Sequence, residues 1–305
     1  MALKFTDKII LAPIWVIGIL PMWALHGLSY MFYVLMFRIT GYRKKVVIGN
    51  LRNSFPEKSE EEIHKIAKRF YLHLCDVFLE SLYAIRMGDE EVKQRYCFEN
   101  REVYDELYAK GKNIICMTGH YGNWEWSGSG WLNMPHKTIG VYKPLTNKLF
   151  DRFFLYLRTK YGSDATPIRN AFKTAITCIR NKEIFGMLLV GDQRPAPHEI
   201  KHWITFMNQD TPVILGPEKM AQKTDSAVVF FDVQPVKRGY YKLYPQLLFE
   251  STRELPEYEI TKRYFEVLEE QIRKRPEYYL WSHKRWKYTR EGIEELMKKH
   301  RRKKD

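Results

Sequence analysis

Cysteine is scarce in this chain. Four occur in 305 residues, Cys75, Cys97, Cys116 and Cys178, and no two are spaced C-x-x-C. That spacing argues against a zinc or dithiol framework and leaves the thiols as small apolar core residues of a reducing compartment. No G-x-S-x-G elbow is present, so the serine nucleophile of an α/β-hydrolase is not encoded. There is no internal repeat, no long linker and no RNA-binding signature. Residues 10–37 contain no Lys, Arg, Asp or Glu at all. A bilayer core takes about 20 apolar residues, so this run is long enough for an N-terminal membrane helix and too long for a signal-peptide core. Pro13 and Pro21 leave open two short helices lying in the membrane interface.

The charge that is missing there is abundant elsewhere. Lys and Arg number 50 against 36 Asp and Glu, a formal charge of +14. Such an excess favours an anionic partner: nucleic acid, acidic headgroups or an acidic carrier protein. Arg38, Arg43, Lys44 and Lys45 follow the apolar run, against Lys4 and Lys8 before it. The positive-inside bias then places the large C-terminal part in the cytoplasm. Residues 284–305 hold ten Lys and Arg and four acids, a solvated tail or a polybasic segment for anionic lipid. The organisation expected is a membrane anchor over 1–45, an α/β domain over 46–290 and a basic tail over 291–305.

Hydrophobic residues make up 45% of the chain, enough for a packed core. After Pro56, Ser59 and Glu62 form a capping box. Ile63, Ile66, Ala67, Phe70, Leu74, Val77 and Phe78 then recur at helical spacing, predicting a long helix to about residue 85. From Asn113 onward the apolar runs "IICM", "TIGVY", "IFGMLLV" and "AVVFFDV" read as buried strands. Helices are expected near 146–161, 170–182, 213–223 and 256–274. Strands alternating with helices predict a mostly parallel sheet flanked by helices. "YYKLYPQLLF" is expected as an antiparallel edge strand, since Pro245 argues against a central place.

In an open α/β sheet, ligands bind beyond the carboxyl ends of the strands. Three polar clusters stand there: "GHYGNWE" after "IICM", "YKP" after "TIGV" and "GDQRP" after "IFGMLLV". His120 and Glu125 are five residues apart, a step of about 140° on a continuous helix, so they do not share a helical face. They meet if Gly119 and Gly122 permit a turn and Asn123 caps a helix that begins with Glu125. The pair then supplies a base and the carboxylate that orients it. Asp192 either caps the next turn or faces the site. Arg158, on an aromatic-rich helix, is placed to bind an anion, orient a substrate or pair with an acid such as Asp192. Lys143 and Arg194 are candidate phosphate contacts.

Taken together, "NLRNSFPEKSEEE", "GHYGNWE", "VYKPLTNKLFDRFFLYLR", "GDQRP" and "YYLWSHKRWK" resemble the lipid A late acyltransferases, within the glycerolipid acyltransferase superfamily marked by an H-x-x-x-x-[DE] box. The resemblance covers nearly the whole chain. It implies a glycerolipid acyltransferase-like α/β fold with an N-terminal membrane helix, His120 and Glu125 as the catalytic dyad, and functional roles for Arg158 and Asp192. The implied reaction moves a fatty acyl group from acyl carrier protein to a hydroxyl of a phosphorylated glycolipid, the lipid A precursor, at the cytoplasmic face of the bacterial inner membrane. It needs no metal or other cofactor and no nucleic acid. Two departures are visible: Lys143 stands where the family commonly has arginine, keeping charge but losing the bidentate fork, and no EGTR-type box occurs. The same fold acting on another lipid acceptor, or a catalytically silent lipid-binding membrane protein, fits the same sequence features.

Overall fold

The computed structural model describes residues 7, 10–131 and 134–301. Lys4, Lys8 and the last residues of the basic tail lie outside them. Two helices open the chain, α1 (Ala12–Gly18) and α2 (Met22–Tyr33), the second running on into a π-helical turn over Val34–Ile39. The expected single membrane helix is broken. Pro21 sits extended between α1 and α2, lacking the N–H that a continuous helix would use. Ala12–Gly18 and Met22–Ile39 meet at 115°, and among the described residues no single helix is long and apolar enough to cross a membrane. Met22, Leu25, Ser29, Tyr33 and Phe37 form a buried stripe at helical spacing, while Trp23, Tyr30, Met31 and Leu35 form an exposed one.

α3 (Lys44–Ser54) leads to α4 (Glu60–Tyr83), whose capping box is formed as expected: Ser59 accepts from the Glu62 amide and Glu62 accepts from the Ser59 amide. Next come α5 (Asp89–Arg95), β1 (Tyr96–Phe98), α6 (Glu102–Ala109) and β2 (Ile114–Thr118). After a 3-10 turn over Trp124–Trp131 follow β3 (Lys137–Tyr142), α7 (Lys148–Thr159), β4 (Asp164–Pro167), α8 (Ala171–Arg180) and β5 (Phe185–Val190). The hairpin β6 (Trp203–Phe206) and β7 (Gln209–Pro212) precedes α9 (Gly216–Thr224), β8 (Ala227–Lys237), β9 (Tyr240–Phe249), α10 (Glu259–Lys274) and α11 (Arg290–Arg301).

Seven strands form one sheet in the order β1-β9-β8-β2-β5-β3-β4, parallel except where β9 runs antiparallel to β8. The four apolar runs are the central strands; β2, β5 and the first half of β8 are buried on both faces, which is why they read as continuous rather than alternating, while β3 is half-buried. Ile115, Met117, Met187 and Leu189 pack into one core and Ile114, Cys116, Leu188 and Val229 into the other. β9 is antiparallel as expected but is not the edge. β1 pairs outside it, with Tyr241–Leu243 only, so Pro245 removes no bond to β1. Cys75, Cys116 and Cys178 are buried, Cys97 is half-buried, and all four are free thiols.

The N-terminal helices are part of this packing. Leu25 is fully buried against the domain while Trp23 is 78% exposed. Leu25→Ala is expected to lower unfolding free energy by about 2–5 kcal/mol. Trp23→Ala should change it by less than about 0.5 kcal/mol. Denaturant melts in detergent check both.

Candidate active site

β2 ends at Thr118, and the chain turns sharply to present His120 above the sheet. A Cβ on Gly119 would stand 2.5 Å from Leu268 Cδ1, and Gly122 has φ +59° with a virtual Cβ 2.9 Å from Val233, so both positions demand glycine. The turn is stitched to the "YYLW" segment. Tyr121 and Tyr279 form an antiparallel bridge, Leu280 N donates to His120 O at 3.1 Å and Gly122 N donates to Tyr278 O at 3.1 Å. Asn123 Oδ1 then accepts from Trp126 N at 3.2 Å, capping the helix that carries Glu125, as expected. That helix is 3-10 rather than α.

The acid that meets the imidazole differs from the sequence expectation. His120 Nδ1 lies 2.6 Å from Asp192 Oδ1, whereas Glu125 accepts from Arg158 Nη2 at 3.1 and 3.4 Å. Sheet register explains the first pairing. Thr118 is the partner of Val190 across β2 and β5, and His120 and Asp192 each stand two residues further on. The geometry of the turn explains the second: Glu125 leaves the imidazole to face α7, where Arg158 projects. Arg158 therefore pairs with Glu125 and not with Asp192.

Asp192 is 2% exposed and His120 is mostly buried above it. The Tyr279 phenol and the Arg285 guanidinium lie close enough to the carboxylate to act on its charge. Burial opposes ionisation of Asp192, but the attraction and hydrogen bond of His120 outweigh it and hold its pKa below the usual value. Burial likewise opposes the imidazolium. Asp192, and beyond it Glu125, overcome that and raise the His120 pKa, with Arg158 acting against them. Gln193 Nε2 lies 3.0 Å from His120 Nε2. A donating amide there and an accepting carboxylate at Nδ1 select the Nδ1–H tautomer, which leaves Nε2 as the basic atom. Trp124 packs edge-on to the ring at 5.5 Å between centroids.

His120 and Gln193 line a cleft of about 940 Å³. Its walls are apolar at Ile168, Phe172, Ile214 and Met220, and its polar positions include Lys143, Arg158, Arg194, Lys219 and Lys223. All the predicted site residues except Asp192 line it; Asp192 sits behind His120. Lys143 is exposed. Arg194 is tied back, donating to Lys284 O at 3.0 Å and lying over the Tyr288 ring.

Several residues of this site were not foreseen. Gln193 stands inside the quoted "GDQRP". Tyr279, His283 and Arg285 come from the segment after the last helix expected in the α/β domain, with Arg285 at the start of the polybasic run over 284–305. The alternation of aromatic and basic residues in "YYLWSHKRW" was the available signal. Arg285 is 1% exposed, its charge acting on Asp192, Tyr279 and Tyr264. His283, also near Asp192, has its pKa pushed down to about 4, chiefly by burial. Separately, "HEIKH" at 198–202 has the spacing of a zinc-binding helix, but Pro197–Glu199 is one 3-10 turn, Ile200 is extended, and His202 stacks on Tyr258 at 3.8 Å. Those imidazoles do not share a helix face.

The model of the bacterial lipid A biosynthesis acyltransferase family matches residues 2–288. The chain is 24% identical over 283 residues to a lipid A biosynthesis lauroyltransferase of Escherichia coli (strain K12), covering 92% of this chain and 90% of that protein. A strand-end histidine beside a large apolar cleft, with the family's sequence pattern running from one end of the fold almost to the other, makes this chain a member of the bacterial lipid A biosynthesis acyltransferases.

Proposed function

We propose that the chain transfers a fatty acyl group from an acyl carrier protein thioester to a hydroxyl of a lipid A precursor, with His120 as general base. The observation that carries this reading is the His120 pair: Nδ1 held by a buried carboxylate at 2.6 Å, on an imidazole that lines a cleft with apolar and cationic residues on its wall. A lipid alcohol is a poor nucleophile at neutral pH. Once the alcohol displaces the Gln193 amide from Nε2, that nitrogen removes its proton as the oxygen attacks the thioester carbonyl, and Asp192 stabilises the imidazolium that forms. The tetrahedral intermediate collapses by breaking the C–S bond, and His120 returns the proton to the departing thiolate. Arg158, fixed by Glu125, is the cation available to the oxyanion. Glu125 thus acts through Arg158 as well as through its field on His120. The apolar wall suits an acyl chain, while Lys143, Arg194, Lys219 and Lys223 suit phosphates of the acceptor or of the carrier's prosthetic arm.

The N-terminal segment supports a membrane site for this reaction. Trp23, Tyr30, Met31 and Leu35 make a contiguous exposed apolar stripe, the kind of surface that marks a lipid or protein interface. We infer that α1 and α2 lie in the interface of the bacterial inner membrane, with the catalytic domain on its cytoplasmic face. Trp23→Asp combined with Met31→Asp should weaken binding to vesicles containing phosphatidylglycerol at least tenfold without loss of folding. Unchanged sedimentation with the vesicles would remove the membrane reading.

The chemistry is tested with purified protein, labelled acyl carrier protein and a panel of lipid acceptors. His120→Ala and Asp192→Asn should each lower the transfer rate by about 10²–10⁴-fold. The base must be neutral, and its pKa is raised above the ordinary 6.5, so wild-type activity falls as pH drops through a value above 6.5. Asp192→Asn removes the main raising charge and moves that acid limb to lower pH. Full activity in folded His120→Ala, or transfer only to non-glycolipid acceptors, would contradict the assignment.

A further inference from the structure

We propose that Glu80 is a positioning residue for acyl transfer, its buried carboxylate holding the active-site turn from behind and tying it to the N-terminal helices. Glu80 is fully buried near the end of α4. An ionised side chain in that position is retained only where its oxygens are fully matched by donors. Here they are. Oε2 accepts from Asn123 Nδ2 at 2.8 Å and from the Tyr241 hydroxyl at 2.7 Å, and Oε1 lies 3.1 Å from His26 Nε2. Burial opposes its ionisation, but His26 and Tyr241, helped by His73, outweigh it and keep the carboxyl below its usual pKa.

The grip reaches the turn once more, at Trp126, and a bond within the turn links its two holds. Trp126 Nε1 donates to the Glu80 carbonyl at 2.9 Å, and Asn123 Oδ1 accepts from Trp126 N at 3.2 Å. Glu80, Asn123 and Trp126 therefore close a ring of hydrogen bonds. Glu125 stands between Trp126, locked into that ring, and Trp124, which packs on the His120 imidazole. One turn back on α4, Asp76 bonds Ser29 of α2 and Arg238, and two turns back His73 Nε2 lies 3.1 Å from Gly122 O. His73, Asp76 and Glu80 make a buried polar stripe on an otherwise apolar face, and each bonds either the turn or the N-terminal helices. Glu80 alone bonds both.

A carboxylate that only stabilised the fold would be lost at the cost of melting temperature. One that positions the turn is lost at the cost of turnover, since a displacement near 1 Å at reacting groups can cost about 10²-fold. The proposal rests on the acyl-transfer reading, and its test is a comparison of variants in the same labelled acyl carrier protein assay, with rates scaled to folded enzyme. Glu80→Gln places an amide N–H or a weaker acceptor against two donors, and should lower kcat at least tenfold with KM for both substrates within twofold. Trp126→Phe, a milder change that keeps an aromatic side chain but removes the Nε1–H bond to the Glu80 carbonyl, should lower kcat several-fold in the same way and serves if Glu80→Gln does not fold. Adding Asn123→Ala to Glu80→Gln should lower kcat little further, because both break one ring. Asp225→Asn is the structural control: it removes a carboxylate bonded to Thr252 N and Ser251 Oγ beside the start of β8, and should lower the melting temperature without lowering kcat. An active wild type with Glu80→Gln or Trp126→Phe at wild-type kcat would overturn the role of Glu80 alone. A wild type inactive on every acceptor would overturn the transfer reading and this one with it.

Discussion

The site depends on one hydrogen bond between neighbouring strands. His120 and Asp192 are 72 residues apart in the chain, yet each stands two residues beyond a register pair of β2 and β5. The parallel sheet brings them to one rim because its central strands all end on the same side. Burial alone would disfavour both charged forms; paired, each makes the other's ionisation favourable. The bond fixes the tautomer as well as the charge, and so determines which imidazole nitrogen is the basic one.

Around that bond the fold builds a second and a third tier. Glu125 and Arg158 pair beside it, converting a free guanidinium into a directed one. Behind the turn, the polar stripe of α4 and the bridge to Tyr279 hold the backbone that carries both residues. The C-terminal "YYLWSHKRW" segment is therefore structural where it meets Tyr121 and electrostatic where Arg285 and His283 approach Asp192. The N-terminal helices enter the same network through His26 and Ser29, so the segment that faces outward with Trp23 and Met31 faces inward toward the chemistry.

Much of this architecture was legible in the sequence. The central strands announced themselves as apolar runs, the Ser59 capping box marked the start of α4, and the glycines beside His120 marked the turn. β4 was not legible, because "DATP" is short and carries an exposed aspartate. Nor was the β6–β7 hairpin, whose turn residues Met207 and Asn208 both have positive φ without the glycine that signals it. The six candidate site residues were picked by type, five of them from the segments that follow strands and Arg158 from the helix α7, and the fold brings them to one rim. Their partners were not legible, because the choice between Asp192 and Glu125 depends on strand order, which the sequence leaves open. The buried stripe of α4 was visible in spacing, at residues 73, 76 and 80, but was masked by the stronger apolar periodicity of the same helix.

The central claim concerns the state of a single imidazole, and nitrogen-15 NMR of histidine-labelled protein observes it directly. With the His120 signals assigned by their loss in His120→Gln, the neutral ring should carry its proton on Nδ1 and titrate above 6.5. A ring protonated on Nε2, or one titrating below 6.5, would contradict a base held upright by Asp192.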